Sequence, residues 1–355
     1  MTGPTDISRR PITAKDVARL AGVSQSAVSR TFTQGASVAP ATRERVRLAA
    51  TQLGYRPNQL ARSLITRRSN LIGVVVPSLD NPFYAQVLEQ MSAAFQSLGY
   101  RILLFSTANH EDSDPVLEEV LSYRVEALIL VSASLSSSFA EQCRAIGLPV
   151  VLFNRRIDND NISSVTSDNV TGARTIAAFL IESDHRHIAF IAGKPTSSTG
   201  RDRHRAFHEM LNAAGRGTPY TEVGAFSFEG GAAAVRRLLT AQPQTDAIFC
   251  ANDVMALAAI GVASHEFGRQ VGKDLSIVGF DDITVSAWPT FALTTYVQPV
   301  LQMVHRTARI ILDQLDQPGS SAVTEVISGQ LVVRDSARAP SHGIEIRDGH
   351  RIWVP

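Results

Sequence analysis

Residues 13–30 read Thr13-Ala-Lys-Asp-Val-Ala-Arg-Leu-Ala-Gly-Val-Ser-Gln-Ser-Ala-Val-Ser-Arg30, and this stretch predicts two short helices joined by a tight turn. Thr13 and Asp16 have the spacing of a capping box, so the first helix is expected to begin there. Gly22-Val23-Ser24 breaks it, because glycine tolerates a positive φ and the serine can cap a second helix, Gln25 to about Phe32. A helix, a three-residue turn and a helix form the spacing of a helix-turn-helix unit.

The second predicted helix carries polar side chains that packing does not require. Side chains of this kind can contact the base edges or phosphate groups of DNA. They are Gln25, Ser26, Ser29 and Arg30. A third helix is predicted from Pro40, because apolar residues recur there at helical spacing and Gly54 can end it. Its apolar positions are Val46, Ala49, Ala50 and Leu53.

The charge of the chain is divided unevenly. Residues 1–68 hold twelve basic and three acidic side chains, a formal charge of +9. The remainder holds 22 basic and 30 acidic side chains, a formal charge of −8. This asymmetry indicates that the short head binds a polyanion, with a solvated basic face as the alternative.

The segment that follows the head is short and amphipathic. Residues 58–64, Asn58-Gln-Leu-Ala-Arg-Ser-Leu64, could form about two helical turns with Leu60 and Leu64 on one side. A helix this short is unstable alone in water, so it is expected to fold only when packed against another surface. A linker without structure is the alternative.

Short apolar runs alternate with amphipathic segments through the rest of the chain. Strands are predicted at 71–76, 101–105, 127–131, 149–153, 188–192, 247–250, 276–280, 323–327 and 330–334. Helices are predicted at 81–98, 113–123, 137–146, 169–182, 202–214, 229–240, 252–267 and 299–316. This alternation is typical of parallel sheets covered by helices on both faces, where ligands bind at the carboxyl ends of strands.

The strands are too many for one compact sheet. The predicted fold is therefore a small all-α helix-turn-helix head with an α/β body of two doubly wound parallel-sheet lobes. The head spans 1–56, and a hinge helix with its linker spans 57–70. The N-lobe takes about 71–170 and 300–327, and the C-lobe about 171–299 and 328–338. Residues 339–355 are expected to form a polar, poorly patterned tail.

Composition excludes several classes of protein. The 355 residues are 44% hydrophobic and 19% charged, which is ordinary for a soluble globular chain. The longest stretch without a strongly polar side chain has ten residues, 254–263, whereas a membrane span needs about 20. Residues 1–10 lack the apolar segment of a secretory signal. Cys143 and Cys250 form neither a metal motif nor a disulfide framework, so we expect no cofactor or metal and a location in the reducing cytoplasm.

The head motif resembles the DNA-binding domain of the lactose repressor (LacI/GalR) family, as do Thr42-Arg-Glu-Arg-Val46 and Leu53-Gly-Tyr-Arg-Pro-Asn58. The body agrees with the same family at Asn81-Pro-Phe-Tyr84, Asp168-Asn169, Ala251-Asn-Asp253, Gly279-Phe-Asp-Asp282 and Leu293-Thr-Thr295. The resemblance covers about residues 12–338. It implies a homodimeric transcriptional repressor that binds palindromic double-stranded operator DNA. The body would be periplasmic-binding-protein-like, with a small effector, a sugar or sugar derivative, between its lobes.

The resemblance also assigns residues to DNA. Gln25 and Ser26 match the family's main base-reading positions, and Arg30 matches its motif arginine. Thr13, Ser24 and Ser29 match phosphate-facing positions, although each could be only a cap or a surface residue. Leu64 matches the leucine that the family inserts into the minor groove from a hinge helix, with Ala61 beside it. Thr33 stands where relatives often carry asparagine.

A second set of residues matches the effector site of the family. Ser197, Thr199 and Arg203 match the effector loop and the helix after it, and Asp281 matches the acid that binds hydroxyl groups. Arg203 and Asp281 together suit a polyol, with an interlobe salt bridge as the alternative. Aromatic cleft positions and further polar positions complete the set, although the aromatic rings could belong to the core and the polar residues could be helix caps. These are Phe83, Phe226, Asp168, Asn252 and Asp253.

Two other classes of function compete with a regulator. An enzyme is disfavoured, because the chain has no Gly-x-Ser-x-Gly elbow, phosphate loop or HExxH motif, and Asp281-Asp282 are strand-end neighbours whose side chains point apart. A periplasmic sugar-binding protein would explain the body but not the basic head. Residues 340–355 carry two glycines and no heptads, so a coiled-coil tetramer is not expected and a dimer is. The identity of the effector and the direction of its action stay open.

Overall fold

The computed structural model describes residues 12–33, 35–56, 68–107, 114–132, 136–157 and 161–355. The chain divides into two compact units, with the boundary between Ser69 and Asn70. The predicted hinge helix, with Ala61 and Leu64, lies outside the described residues. Within the described parts, no helix combines the length and the apolar character that crossing a membrane would require.

The head contains three helices in its described part: α1 (Ala14–Ala21), α2 (Gln25–Thr31) and α3 (Pro40–Leu53). The capping box at α1 is confirmed, since the Thr13 N–H and hydroxyl both donate to the Asp16 carboxylate, at 3.0 and 2.6 Å. Gly22 and Gly54 follow α1 and α3 with φ of 62° and 66°, a conformation that favours glycine. The three helices enclose one small apolar core, which includes Val17, Val28 and Val46.

The first lobe of the body is built on a six-stranded parallel sheet in the order β11-β5-β4-β3-β1-β2. Its strands are β1 (Leu71–Val76), β2 (Arg101–Ser106), β3 (Ala127–Val131), β4 (Val150–Phe153), β5 (Ser163–Ser167) and β11 (Thr324–Ile327). The helices are α4 (Pro82–Ser97), α5 (Asp114–Ser122), α6 (Ser137–Ala145) and α11 (Val300–Asp316). β5 was not predicted, because Ser163-Ser-Val-Thr-Ser167 is polar although it is buried.

The second lobe is built on an eight-stranded sheet in the order β13-β14-β12-β10-β9-β8-β6-β7, parallel from β10 to β7. Its strands are β6 (Ile188–Ala192), β7 (Tyr220–Val223), β8 (Ala247–Cys250), β9 (Ser276–Asp281), β10 (Thr294–Val297), β12 (Leu331–Val332), β13 (Ile344–Arg347) and β14 (His350–Trp353). Its helices are α7 (Asn169–Glu182), α8 (Ser198–Ala213), α9 (Phe228–Ala241) and α10 (Asp253–His265). Two separate sheets confirm the predicted pair of lobes, while β7 and β10 were not predicted as strands.

The C-terminal segment differs from its prediction as a poorly patterned tail. Residues 344–353 form an antiparallel hairpin, and β14 pairs with β12 of the second lobe. Asp348 and Gly349 make the turn with φ of 48° and 78°, the positive values that a two-residue hairpin turn favours. The ring of Trp353 contacts the ring of Phe179 edge-on, with 5.6 Å between the ring centroids. The apolar residues that the hairpin packs against, such as Phe179, lie far upstream in the sequence. The composition of residues 339–355 alone therefore indicated a polar tail.

Replacing Ile352 by valine is expected to lower the free energy of unfolding of the body by about 0.5–1.5 kcal/mol, because a buried methyl group is lost. Ile352 is 1% exposed, whereas Ile346 on the neighbouring strand is 68% exposed. Ile346→Val is the matched control and should change the unfolding free energy by less than about 0.5 kcal/mol. Urea denaturation measures both. Equal effects of the two substitutions would contradict the docking of the hairpin.

His185 makes the stability of the second lobe depend on pH. Burial and, to a smaller extent, the charge of nearby Arg338 lower its pKa to about 4, although Asp246 opposes the shift. In the unfolded chain the histidine pKa is about 6.5. Between about pH 6.5 and pH 4, the unfolded chain therefore binds a proton at this position and the folded chain does not. The free energy of unfolding therefore falls as pH drops from about 6.5 to 4, by at most about 3 kcal/mol.

Urea denaturation at pH 7 and pH 4.5 measures this loss. His185→Gln removes the imidazole and should show a smaller loss than the wild type, while exposed His350→Gln should match the wild type. If His185→Gln loses as much unfolding free energy between pH 7 and pH 4.5 as the wild type does, other groups cause the pH dependence.

Candidate DNA-binding helix and effector cleft

The exposed surface of α2 is made of the polar residues that the sequence singled out. Gln25, Ser26, Ser29 and Arg30 are exposed, whereas Val28 and Thr31 face the core. At about 100° per residue, the four exposed positions span about 140° of the helix, which is one face. The structure therefore brings these predicted DNA residues together on one exposed surface that does not pack against the core of the head.

The beginning of α2 is fixed by its capping serine. The Ser24 hydroxyl accepts a hydrogen bond from the Ala27 N–H at 3.2 Å and lies 2.9 Å from the Ser26 hydroxyl. At its other end, the Thr33 hydroxyl donates to the Ser29 carbonyl at 3.0 Å. Thr13 is half-buried and bonded to Asp16, so its hydroxyl is already engaged in capping α1.

A polar cleft is formed where the parallel strands of both sheets end. In the second lobe, Arg203 of α8 is 2% exposed and stacks on Phe280 with 3.5 Å between the guanidinium carbon and the ring centroid. Its Nε donates to Asn169 Oδ1 at 2.7 Å and its Nη1 donates to the Ala251 carbonyl at 2.5 Å. Burial lowers the pKa of Arg203 to about 10, which still leaves it charged near neutral pH. These bonds engage two of the three guanidinium nitrogens, Nε and Nη1.

Asp281 ends β9 beside this guanidinium. Its Oδ1 lies 3.6 Å from Arg203 Nη1 and accepts a hydrogen bond from Gln298 Nε2 at 2.6 Å. Burial raises the pKa of Asp281, and the charge of Arg203 opposes this shift. Its backbone has φ of 137°, a region that residues other than glycine rarely adopt and that is typical of functional sites. Gln298 Oε1 is buried and has no hydrogen-bond partner within the described parts of the chain.

The first lobe contributes polar groups that the sequence analysis did not select. Tyr84 of α4 hydrogen-bonds Ser132, and its electrostatic partners are Arg155 in its own lobe and Asp281 and Arg203 in the other. The Asn154 side chain donates to the Ser132 hydroxyl at 3.1 Å. Asn154 Oδ1, like Gln298 Oε1, is buried without a partner in the described structure.

A signal for these groups was present in the sequence. Ser132 and Asn154 directly follow buried strands of the first lobe, at the end of the sheet where ligands bind. Tyr84 belongs to the quoted motif Asn81-Pro-Phe-Tyr84. The position of Ser132 and Asn154 after their strands is therefore the sequence signal for this part of the site.

The two lobes also contact each other directly. The Arg156 N–H donates to the Ser198 hydroxyl at 3.1 Å, and the Arg156 guanidinium bonds Asp202 at 3.0 Å. An interlobe salt bridge was the alternative role for Arg203 and Asp281. The structure places both of those residues in the second lobe, and among the described residues Arg156 and Asp202 form an ion pair between the lobes.

Several candidate ligand residues serve as helix caps. Ser197, Asp168 and Asn252 accept backbone N–H groups at the beginning of α8, α7 and α10, at 3.0, 2.9 and 3.1 Å. Thr199 is buried in the first turn of α8. Capping fixes the ends of these helices at the cleft, and it occupies one oxygen of each capping side chain.

Asp253 lies inside the second lobe, with no exposed surface. Its carboxylate accepts hydrogen bonds from the Ile283 N–H at 3.0 Å, the Ser286 hydroxyl at 2.7 Å and the Thr295 hydroxyl at 2.5 Å. A Cβ at Gly279 would collide with this carboxylate, which explains the glycine in the motif Gly279-Phe-Asp-Asp282. The geometry gives Asp253 a role in joining β9 and β10, with both oxygens engaged.

The two aromatic candidates differ in their surroundings. Phe83 is 2% exposed and contacts Tyr84 edge-on with 5.8 Å between ring centroids, so it supports the tyrosine from the core. Phe226 is half-buried with φ of 65°, and its ring lies directly over Gly193, where no Cβ would fit. Phe226 is therefore the aromatic ring with surface left for a ligand.

Comparisons with known proteins agree over nearly the whole chain. Residues 13–58 match the family described as bacterial regulatory proteins, lacI family, and residues 69–328 match periplasmic binding proteins and sugar binding domain of LacI family. The HTH-type transcriptional regulator CelR of Thermobifida fusca is 34% identical, over 92% of this chain and 98% of that protein.

Solved structures give the same result. A lac repressor dimer bound to operator and the anti-inducer ONPF matches with a TM-score of 0.83 and 28% identity, covering 93% of this chain and 100% of that one. A complex of the transcriptional regulator CelR with cellobiose matches with a TM-score of 0.69 and 32% identity, covering 92% and 100%.

Proposed function

The chain belongs to the LacI family of bacterial regulatory proteins, and from this premise we propose that it is a dimeric repressor switched by a sugar-like effector in the interlobe cleft. It is a DNA-binding transcriptional regulator. The observation that carries the effector proposal is the pair of buried, unpartnered acceptors, Asn154 Oδ1 and Gln298 Oε1, one from each lobe. Buried polar atoms normally have a partner, so hydroxyl groups of a ligand that donate to both would complete the site.

The charged groups of the cleft suit the same ligand. Arg203 offers a donor and Asp281 offers an acceptor, so neighbouring hydroxyl groups of a sugar can accept from one and donate to the other. Tyr84 and Arg155 add a hydroxyl and a guanidinium from the opposite lobe, and Phe226 offers a ring face. Cellobiose in the CelR complex is a polyol of this kind, which makes it the first probe for this chain.

The switch follows from the position of the site between two lobes. A ligand that bonds both Asp281 and Tyr84 stabilises the interlobe angle at which both are within reach, and the contact of Arg156 with Asp202 belongs to one such angle. The effector shifts the population of angles by its differential affinity for them. The sign of the response, induction or co-repression, is set by which angle the operator-bound dimer uses.

A thermal-shift screen of mono- and disaccharides, cellobiose first, tests the effector proposal, because a ligand that binds the folded state raises the melting temperature. An active sugar should also change the retention of an operator fragment in a gel-shift titration. Sugars that stabilise the protein without changing operator binding would argue for a binding protein instead of a regulator. A screen without any stabilising sugar would remove the proposal for the cleft.

The dimer is supported by the matched lac repressor structure, which is a dimer bound to operator DNA. Residues 344–353 form the hairpin of the second lobe, so these residues are not available for a coiled coil. Light scattering at micromolar concentration is expected to give the mass of two chains. A mass of four chains would contradict the assignment.

A further inference from the structure

The second lobe contains a cavity at the end of its sheet that lies opposite the effector cleft. The cavity has a volume of about 320 Å³ and lies at the amino ends of β6 and β7, whereas Asp281 and Gln298 follow the carboxyl ends of their strands. Its volume is within the range of small-molecule sites, about 300–1,000 Å³. The five residues of β6 separate the two ends of the sheet by about 17 Å.

The cavity is lined by basic and neutral side chains. Arg186, His187 and Arg216 supply the basic groups, and its lining includes no aspartate or glutamate. This basic lining contrasts with the body as a whole, since residues 69–355 carry a formal charge of −8. The apolar part of the wall comes from Ile188, Leu211 and Tyr220.

Some arginines of the second lobe have a carboxylate partner and others do not. Arg236, Arg237 and Arg269 each have one, at 2.6, 2.7 and 3.5 Å. Arg186 and Arg216, like Arg201 and Arg351, form no ion pair with the residues that the structure describes, and both are exposed residues that line the cavity. Asp246 lies beside the cavity without lining it, and its two oxygens accept the N–H groups of Arg186 and His187.

Helix ends give an alternative reason for the arginines. The carboxyl-terminal ends of α8 and α9, at Ala213 and Ala241, are near the cavity, and each carries about half a negative charge that attracts cations. With Asp246, the two ends amount to about two negative charges, which equals the charge of Arg186 and Arg216. The Asp246 oxygens are engaged by backbone N–H groups, however, and neither guanidinium forms an ion pair with them in the described part of the chain, so the side-chain donors of both arginines are left for a ligand.

We propose that this cavity binds a small organic anion, a carboxylate or a phosphate monoester. The anionic group would take bidentate hydrogen bonds from Arg186 and Arg216, whose planar donor pairs match both oxyanions. The uncharged part of the ligand would pack on Ile188, Leu211 and the Tyr220 ring, with Gln242 and Thr218 at the rim. The site is separate from the effector cleft and does not depend on the function proposed for it.

Calorimetric titration of the full-length protein with citrate, glycerol 3-phosphate and inorganic phosphate tests this site at constant ionic strength. Glycerol is the uncharged control. At least one organic anion should bind with Kd of about 1 mM or below, more tightly than glycerol. The basic head also attracts anions, so the deciding comparison is between variants. Arg186→Gln with Arg216→Gln should weaken binding at least tenfold, since two charge-assisted hydrogen-bonding groups are lost.

Arg144→Gln is the matched control, because Arg144 is an exposed arginine of the first lobe. It removes one positive charge and should leave the binding of the organic anions unchanged. If the double variant unfolds, each single variant is titrated alone and should show a severalfold loss. Binding that the arginine variants leave intact, or no organic anion binding at all, would overturn the proposal. Inorganic phosphate binding as tightly as the organic anions would exclude the apolar wall from the site.

Discussion

Replacing Asp281 by alanine is expected to abolish the response of operator binding to the effector sugar while operator binding without the sugar persists. Asp281 supplies the carboxylate of the cleft, and its position at the end of β9 is far from the head in sequence. A hydrogen bond to a charged group contributes about 1.5–3 kcal/mol, and a carboxylate can accept two from neighbouring hydroxyl groups. The expected loss of about 3–5 kcal/mol weakens effector binding by about 100-fold to several thousandfold.

The alanine variant also leaves the buried Arg203 without its ion-pair partner, which can destabilise the fold by about 3–5 kcal/mol. Asp281→Asn is the second variant. It also removes the negative charge beside Arg203, but it keeps the size of the side chain and an oxygen that can accept the hydrogen bond from Gln298, so it should destabilise the fold less than alanine does. Its melting temperature without ligand shows whether it is folded, and it should lose most effector affinity, because a neutral amide oxygen is the weaker acceptor.

The matched control is Asp282→Asn at the next position. Asp282 bonds Arg334 at 2.8 Å, away from Arg203, so its substitution should leave the effector affinity within about threefold of the wild type. Calorimetry with the sugar selected by the screen and gel shifts with operator DNA measure the two properties separately. An Asp281→Asn variant with wild-type effector affinity would show that the cleft carboxylate does not bind the ligand.

Local patterns in the sequence predicted most of the helices and strands of the described chain. The caps at Thr13 and Ser24 could be placed because a cap is decided by a few adjacent residues. The predicted strand 71–76 agrees with β1 because all six residues are apolar and five of them are buried. Elements of this kind depend on neighbours in the sequence, so one chain is enough to recognise them.

The missed elements depend on distant partners. β5 is buried although four of its five residues are serine or threonine, and Ser163 is held by Gln314, 151 positions away. Trp353 is buried because Phe179 lies under it. Neither contact leaves a periodic signal within its own segment. Tertiary pairing therefore overrides the local pattern in both places.

Only some contacts of the candidate cleft were predicted, because the others also join residues that are distant in the sequence. The family pattern grouped Arg203 with Asp281, and the structure places them 3.6 Å apart. The bonds of Arg203 with Asn169 and Ala251 were not predicted, although they engage two of its three guanidinium nitrogens. Asp253 was selected by its motif, but the burial of its carboxylate depends on Ser286 and Thr295, which no local pattern connects with it.

Gln25→Ala is expected to change which DNA sequence the protein prefers. Gln25 is exposed at the first position of α2, behind the cap at Ser24, and a glutamine can bond both hydrogen-bonding atoms of an adenine edge in the major groove. Such a pair contributes about 1–3 kcal/mol of discrimination against a wrong base. A dimer on a palindrome makes the contact once in each half-site, so the combined loss is about 2–6 kcal/mol.

Arg45→Ala provides the contrast. Arg45 is an exposed residue of α3, and removal of a phosphate contact should weaken binding to all sequences alike and reduce the salt dependence of the affinity. Binding-site selection from a random DNA pool, followed by titration at two salt concentrations, distinguishes the two effects. The Gln25 variant should return a consensus that is degenerate at one position of each half-site, whereas the Arg45 variant should return the wild-type consensus at lower affinity. An unchanged consensus for Gln25→Ala would remove the glutamine from the base-reading residues and leave the surface of α2 to phosphate contacts alone.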